Sequence, residues 1–522
     1  MKSKKSLFSL LIVWLTGSLS VGVCVSIAAP LTPPANKDKE QVAPVTPRSP
    51  RTPAPPAKVG IVKTYGAGYY EIKPNGLQVL HLKGASHERG YQYGALLKDE
   101  IETSLKSGMT LFMVKIGDGD CDKGLQRIIQ GKEDMEQFIP PEFKQEMRGI
   151  ADALADAGSN LTYDDIVMWN TVNDSYTLHG GPCEVEDNIP SGKRHPYPAN
   201  VSCTTVRASG EATKTGRLIM GKNMDWHNTP EMAQNPVVLV VDPTDGGYGY
   251  LAPVYPGWIG CIEGMNEKGI GMGLQISRSD VETMKGVGWH FQTLLILKYA
   301  DSLDDAINIL TVYPRTCGNI THVGDGKTGQ SVVIEHTAND LALRYQVPGR
   351  DILWTTNHFN CYPGWEGYTG TVNMPAKQVK AQNLNISTIE AWQETIPLRS
   401  KGRFERERQL LNIEYGQITP EYMIKLISDR YCMKEKQYVG WDKDAYTIAV
   451  HGEAGVAEEV FEDIAYYKSD RKGQVIHNHG NIWSLVMVPL TGDLHITMSG
   501  PMPTHREPFR YINLLEELKS MR

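Results

Sequence analysis

Ser202-Cys203-Thr204-Thr205 marks a change of character in this chain, and Gly221-Lys222-Asn223-Met224-Asp225-Trp226 ends the second run beyond it. Upstream, 180–198 collects Gly, Pro and charge and reads as an exposed loop. Downstream, short apolar and β-branched runs follow one another at 204–208, 217–224, 237–242, 248–254, 258–265 and 269–276, which is the pattern of successive strands. Cys203 therefore stands where a loop becomes the first strand of a strand-rich region.

Working outward, 289–312 has the length and spacing of one or two helices, and strands are expected again at 331–336, 341–347 and 352–356. Helical spacing returns at 403–413 and 420–430, and the end is strand-like at 474–476, 483–488 and 495–499. Upstream of the loop, 88–107, 142–157 and 163–176 are helical. Runs of strands separated by runs of helices predict an α+β fold of antiparallel sheets with layered helices, not a doubly wound parallel sheet. There is no internal repeat.

The whole chain has 522 residues, 41% hydrophobic and 22% charged, which excludes wholesale disorder and a polytopic membrane protein. Lys plus Arg number 53 against 60 Asp plus Glu, and no basic block offsets the net charge of -7, so a nucleic-acid partner is not expected. Lys2, Lys4 and Lys5 precede an uncharged apolar run over 7–25 and the small-x-small Ser26-Ile27-Ala28, the pattern of a secretory signal cut after Ala28. A secreted or periplasmic location follows; left uncut, the same run would be a membrane anchor. Residues 29–58 are a Pro-rich linker, 59–202 a helical region ending in the loop, and 203–522 a second chain segment.

Eight cysteines less Cys24 of the apolar run leave an odd number, which in an exported protein invites a free thiol. With Cys203 as that thiol, the other six are expected to form one or more disulfides. Several motif-like strings fail for want of one residue. Gly324-Asp325-Gly326-Lys327-Thr328 lacks the first Gly of a phosphate loop and reads as a hairpin turn. Asp118, Asp120 and Asp122 lack the Gly and Glu that a calcium loop needs. Gly269, Gly271 and Gly273 suit close strand packing.

Five ordered pieces carry a family resemblance. Cys203-Thr204-Thr205 followed by Gly221 to Trp226 resembles the start of N-terminal-nucleophile cysteine hydrolases of the penicillin acyltransferase (peptidase C45) type, relatives of the choloylglycine hydrolases. Gly264-Met265-Asn266-Glu267-Lys268-Gly269, Thr356-Asn357-His358-Phe359 and Ser400-x-x-Arg403-Phe404-x-Arg406 are similar to later motifs of that family, and Glu88 to Gly94 to its pro-region helix. The resemblance covers roughly Gly84 to Pro503. It implies a four-layer αββα sandwich, a precursor that cuts itself between Ser202 and Cys203, and two chains that stay associated.

The resemblance also assigns roles. Cys203 is the nucleophile and, once freed, its own base, because an α-amine with a pKa near 8 suits a thiol proton at neutral pH. Asp225 orients that amine and Asn357 donates to the oxyanion; Lys222, Asn266 and Arg403 bind substrate or support the site. Arg406 and Arg408 leave the register of the family arginine open. No metal or cofactor is required. The expected substrate is a small amide, and Trp169, Trp226, Trp258 and Trp354 are candidates for lining an acyl pocket. Hydrolysis and acyl transfer both stay open, as does a catalytically inactive envelope or binding protein that keeps the fold.

Overall fold

The protein is described by a computed structural model over residues 21–24, 59–179, 203–226, 228–277, 279, 281–346, 349–361, 396, 398–433, 436–438, 475–477, 481–499, 504 and 507–522. Ser202, the 180–202 loop and the rest of 1–58, including the Ser26-Ile27-Ala28 site, lie outside the described residues. An edge strand, β1 (Val21–Cys24), precedes a meander of β2 (Gly60–Tyr65), β3 (Gly68–Ile72) and β4 (Gln78–Gly84). Five helices follow: α1 (Ser86–Leu96), α2 (Lys98–Ile116), α3 (Cys121–Glu136), α4 (Pro141–Asp156) and α5 (Tyr163–His179). The region before Cys203 is thus not purely helical. β2, β3 and β4 pair locally with one another, and β4 also pairs in parallel with β7 far along the chain, Val79 opposite Val238.

After Cys203 come β5 (Thr204–Gly210), β6 (Gly216–Asp225), the short α6 (Pro230–Ala233), β7 (Val237–Pro243), β8 (Tyr250–Val254), β9 (Glu263–Asn266) and β10 (Ile270–Ile276). The helical stretch beyond is two helices, α7 (Trp289–Tyr299) and α8 (Leu303–Val312), because the Ser302 hydroxyl caps a new start by accepting from Asp305 N. Then follow β11 (Asn319–Asp325), β12 (Gln330–His336), β13 (Leu341–Tyr345), β14 (Ile352–Thr355), α9 (Leu398–Ile413) and α10 (Pro420–Ile427). A two-residue pair, β15 (Tyr431–Cys432) and β16 (Gln437–Tyr438), precedes β17 (Asn481–Val488), β18 (Asp493–Met498), β19 (Arg510–Asn513) and α11 (Leu514–Met521). No strand forms at 475–477.

Two sheets result. The larger runs β1-β13-β12-β11-β10-β9-β8-β7-β4-β3-β2, the smaller β14-β5-β6-β17-β18-β19. All neighbours are antiparallel except β4 with β7 and β1 with β13. The sheets face one another across β10 and β5/β6, where glycine is required. A Cβ on Gly273 would lie 2.9 Å from Thr205 Oγ1 and 3.1 Å from Lys222 Cδ, and one on Gly271 would lie 2.6 Å from Pro489 Cγ. Helices α1, α7 and α8 cover the outer face of the large sheet. On the outer face of the small sheet, α9 and α10 close a second core of Val206, Ile219, Leu411, Met423, Ile427 and Val486. The architecture is the expected four-layer αββα sandwich.

Alternation on β5 and β6 then decides which side chains reach the space between the sheets. Val206 and Ala208 turn toward α9 and α10, so Thr205 and Arg207 turn inward; on β6, Met220, Lys222 and Met224 turn inward. The Gly324 to Thr328 string is the β11–β12 turn, with Asp325 Oδ1 accepting from Lys327 N. Asp118 pairs with Lys123 and Arg127, and Asp120 caps α3, so these carboxylates already have partners. Among the described residues no cysteine is joined to another, and Cys121, Cys203, Cys261 and Cys432 are free thiols, which corrects the expectation of disulfides for the described cysteines; Cys183 lies outside the described residues. The physical reason is separation: Cys361 and Cys432 sit in two different small cores and Cys261 in the main one.

Candidate active site

Strand register brings the first pieces together. β14 pairs with β5 with Thr355 opposite Thr205, so Asn357, two residues past the one, falls beside Cys203, two before the other. The backbone N–H of Cys203 donates to Asn357 Oδ1 at 2.7 Å. On α9, Ser400, Arg403 and Glu407 share one face by their spacing of three and four. Arg403 Nη1 donates to Cys203 O at 2.6 Å and to Thr204 Oγ1 at 3.1 Å, while Nη2 donates to Asn357 Oδ1 at 2.9 Å. One guanidinium and one carboxamide therefore hold the backbone on both sides of the Cys203 Cα. Arg406 instead pairs with Asp429 and Arg408 with Glu405, which resolves which arginine faces the site.

The Cys203 side chain is buried, its Sγ 3.9 Å from Met224 Sδ and 3.8 Å from Asp225 O. Burial pushes the thiol pKa up, the Lys222 ammonium pulls it down, and the Asp225 carboxylate pushes it up further. Asp225 ends β6, and its Oδ1 accepts from Asn481 Nδ2 at 3.0 Å, the residue opposite it on β17. Lys222 Nζ donates to Asn223 O at 2.9 Å and lies 3.7 Å from Glu263 Oε2, with both side chains wholly buried. Glu263 Oε1 also accepts from Trp483 Nε1. Burial holds the Glu263 carboxyl above its usual range, and Lys222 opposes the shift.

Asn357 is placed at Cys203, but its Nδ2, the donor an oxyanion would need, is given to Ile276 O at 2.8 Å. Asn266 is not brought to the thiol. Its Nδ2 donates to Leu297 O and Ala300 O, and its Oδ1 accepts from Lys268 N and Ile270 N, which fills every hydrogen-bonding position of the carboxamide. In this structure Asn266 staples its hairpin to the end of α7, and it has nothing left to offer a substrate. Trp169, Trp226 and Trp258 are core residues, and Trp354 is half-buried against Phe404.

Glu263 and Asn481 were missed by sequence reasoning. A lone Glu in the apolar run before Asn266 was a usable signal for the first; an Asn at a strand start gave none for the second. Among the described residues, Glu71, His81 and Glu517 form one group with metal-ligating atoms, but Lys73 Nζ already bridges Glu71 and Glu517 at 2.9 Å each. That ammonium supplies the cation.

A four-layer αββα sandwich with a cysteine at the head of a central strand of its smaller sheet, and an Asp, an Asn and an Arg converging on that cysteine, defines the N-terminal-nucleophile class. Residues 212–465 match the family of acyl-coenzyme A:6-aminopenicillanic acid acyl-transferase, to which this part of the chain is similar. The match begins after Cys203 and does not include it. An uncharacterized protein of Archaeoglobus fulgidus is 30% identical over 290 residues, 53% of this chain and 46% of that one. Protein dcd1B of Dictyostelium discoideum is 23% identical over 285 residues, 50% of each. The match thus spans about half the length of these curated relatives. Among solved structures, penicillin V acylase from Agrobacterium tumefaciens aligns with a TM-score of 0.34 at 14% identity, over 60% of this chain and 87% of that one. An N-acylethanolamine-hydrolyzing acid amidase ortholog from Caenorhabditis elegans aligns at 0.33 and 12%, over 55% and 93%.

Proposed function

We propose that the protein is an exported, self-processing cysteine amidohydrolase or acyltransferase that works on a small amide through an acyl-enzyme. The observation that carries this reading is the grip on Cys203, with its N–H on Asn357 and its C=O on Arg403. A residue held by its own backbone atoms beside a buried thiol is suited to becoming a chain end. In the first step Cys203 Sγ attacks the carbonyl carbon of Ser202, the C–N bond to Cys203 breaks as its nitrogen takes a proton, and water hydrolyses the resulting thioester. The released α-amine stays beside Asn357 Oδ1, with Asp225 one strand away and braced by Asn481.

In turnover the amine takes the thiol proton and the thiolate attacks the substrate carbonyl. The leaving amine takes that proton, and water or a second amine then resolves the thioester. The Lys222 ammonium favours the thiolate against the cost of burial. Oxyanion donation by Asn357 requires Nδ2 to leave Ile276 O, a rearrangement that freeing the chain end would allow. The Archaeoglobus and Dictyostelium relatives name no substrate, and this reading goes no further than an amide. Cleavage after Ala28 would place the enzyme outside the cytoplasm.

Intact-mass analysis of purified protein tests the proposal. Wild type should give two chains of roughly 19 and 36 kDa, by proportion to chain length, and Cys203→Ala one uncut chain. Cutting at the same bond in Cys203→Ala, or a wild type that is never cut and never acylated by an amide library, would refute it. The second outcome is what an inactive binding protein would show.

A further inference from the structure

A catalytic side chain on a loop is useful only if the loop is held to fractions of an ångström. Asn357 is such a case, because it lies past the end of β14 at the edge of the small sheet. Two sets of buried groups meet on either side of it, and neither touches Cys203 in any contact described above.

The first is the Glu335–Arg344 pair, on β12 and β13 of the large sheet. Arg344 Nε lies 3.4 Å from Glu335 Oε1, with side-chain exposures of 2% and 0%, so the pair is out of solvent. Arg344 Nη2 donates to Trp354 O at 3.0 Å, three residues before Asn357. Glu335 Oε2 accepts from Asn360 N at 2.8 Å and Cys361 N at 3.0 Å, just after it. A single ion pair on one sheet thus grips both sides of an Asn carried by the other. The second set is Ser400, in the first turn of α9. Its Oγ bonds to His358 Nδ1 at 2.8 Å and to Thr356 Oγ1 at 2.9 Å, and its carbonyl accepts from Thr356 Oγ1 at 3.0 Å. The residues immediately flanking Asn357 are therefore tied to the helix that also carries Arg403.

We propose that Glu335, through Arg344 and the Asn360 and Cys361 amides, is the positioning residue that holds Asn357 in register with Cys203, with Ser400 and His358 closing the clamp from the α9 side. The inference rests on the catalytic reading of Cys203 and Asn357. Glu335 touches no reacting atom; it acts through the backbone of the turn. A carboxylate suits the task because one oxygen can take two adjacent N–H groups while the other faces a guanidinium. Leaving those amides and Arg344 without it would let the turn relax and carry Asn357 away.

The test compares Glu335→Ala and Glu335→Gln, as the uncut full chain and after processing, with Glu146→Gln, which breaks an equally buried pair with Arg89 in the helical layer. Turnover of an amide, self-cleavage rate, thermal midpoint and hydrogen exchange over 354–361 are measured on each. Glu335→Ala should lower kcat about ten- to a hundredfold with KM nearly unchanged and should speed exchange in 354–361 specifically. Glu335→Gln, which keeps an acceptor for the two amides, should fall between it and wild type. Glu146→Gln should lower the thermal midpoint without a matching fall in kcat. Should Glu335→Ala fail to fold, the same kcat and exchange shifts in Glu335→Gln decide the matter. Wild-type kcat in the Glu335 variants, or a loss that only tracks the thermal midpoint as in Glu146→Gln, would overturn the inference. A wild type that neither cuts itself nor turns over any amide would overturn the catalytic reading instead, and the exchange result would then decide the clamp alone.

Discussion

At Cys203 three charges act beside burial, one against it and two with it, and they can be separated by substitution. Lys222 lowers the thiol pKa, whereas Asp225 and Glu263 raise it. Lys222→Met should therefore move the pH dependence of Cys203 alkylation to higher pH, and Glu263→Gln should move it to lower pH. Peptide-resolved mass spectrometry after iodoacetamide, on the processed protein, reads both; shifts of the same sign would contradict the assignment. Lys222→Met should also be the more damaging to stability, because it leaves the Glu263 carboxyl buried without its counter-charge, at a cost of about 3–5 kcal/mol. Lys222→Arg keeps the charge and should recover most of that loss.

Among the elements, α7 has an unusual start. Its N-cap is Gly288, which has no side chain to offer, and the carboxylate of Asp174 on α5 takes the place, Oδ1 accepting from Trp289 N at 3.3 Å and from Thr316 Oγ1 at 2.6 Å. The other oxygen, Oδ2, has no hydrogen-bond partner among the described residues, and burial lifts the Asp174 pKa to about 7. A carboxyl that binds its proton more tightly when folded stabilises the fold fully below its unfolded pKa near 4. That contribution is lost as pH rises to about 7. Asp174→Asn should remove this slope. Its unfolding free energy should gain on wild type between about pH 4 and pH 7 and hold that gain above, by up to about 4 kcal/mol. Parallel stability curves for the two proteins across that window would show that Asp174 is not the titrating group.

For the whole molecule, the cut at Cys203 would fall within one folded unit. Strands β2 to β4 join the large sheet through β7, and α5 enters the core, where Trp169 Nε1 donates to Pro256 O at 3.0 Å and Trp226 Nε1 to Asn173 Oδ1 at 2.9 Å. The two processed chains should therefore co-elute on size exclusion and separate only when denatured. Elution of a free N-terminal fragment in native buffer would disprove this. The described residues contain no helix long and apolar enough to cross a membrane.

By itself the sequence determined what local pattern can determine: most strands after Cys203, helices α7 to α10, the β11–β12 turn, and the linear order of motifs that singled out Cys203, Asp225, Asn357 and Arg403. Period-two and period-three-to-four spacing specify an element and its buried face within a few residues, and a motif needs no more. Tertiary structure alone decided the rest. The β2 to β4 meander joins the large sheet only through the parallel pairing of β4 with β7, and that long-range attachment leaves no local trace. The choice of Arg403 over Arg406 and Arg408 depended on which face of α9 meets β5. Asn266 looked like a ligand residue until α7 supplied the two carbonyls that occupy it. Glu263, Asn481 and Glu335 acquire meaning only from partners on other strands, because a buried charge or amide is defined by what it faces across the sandwich.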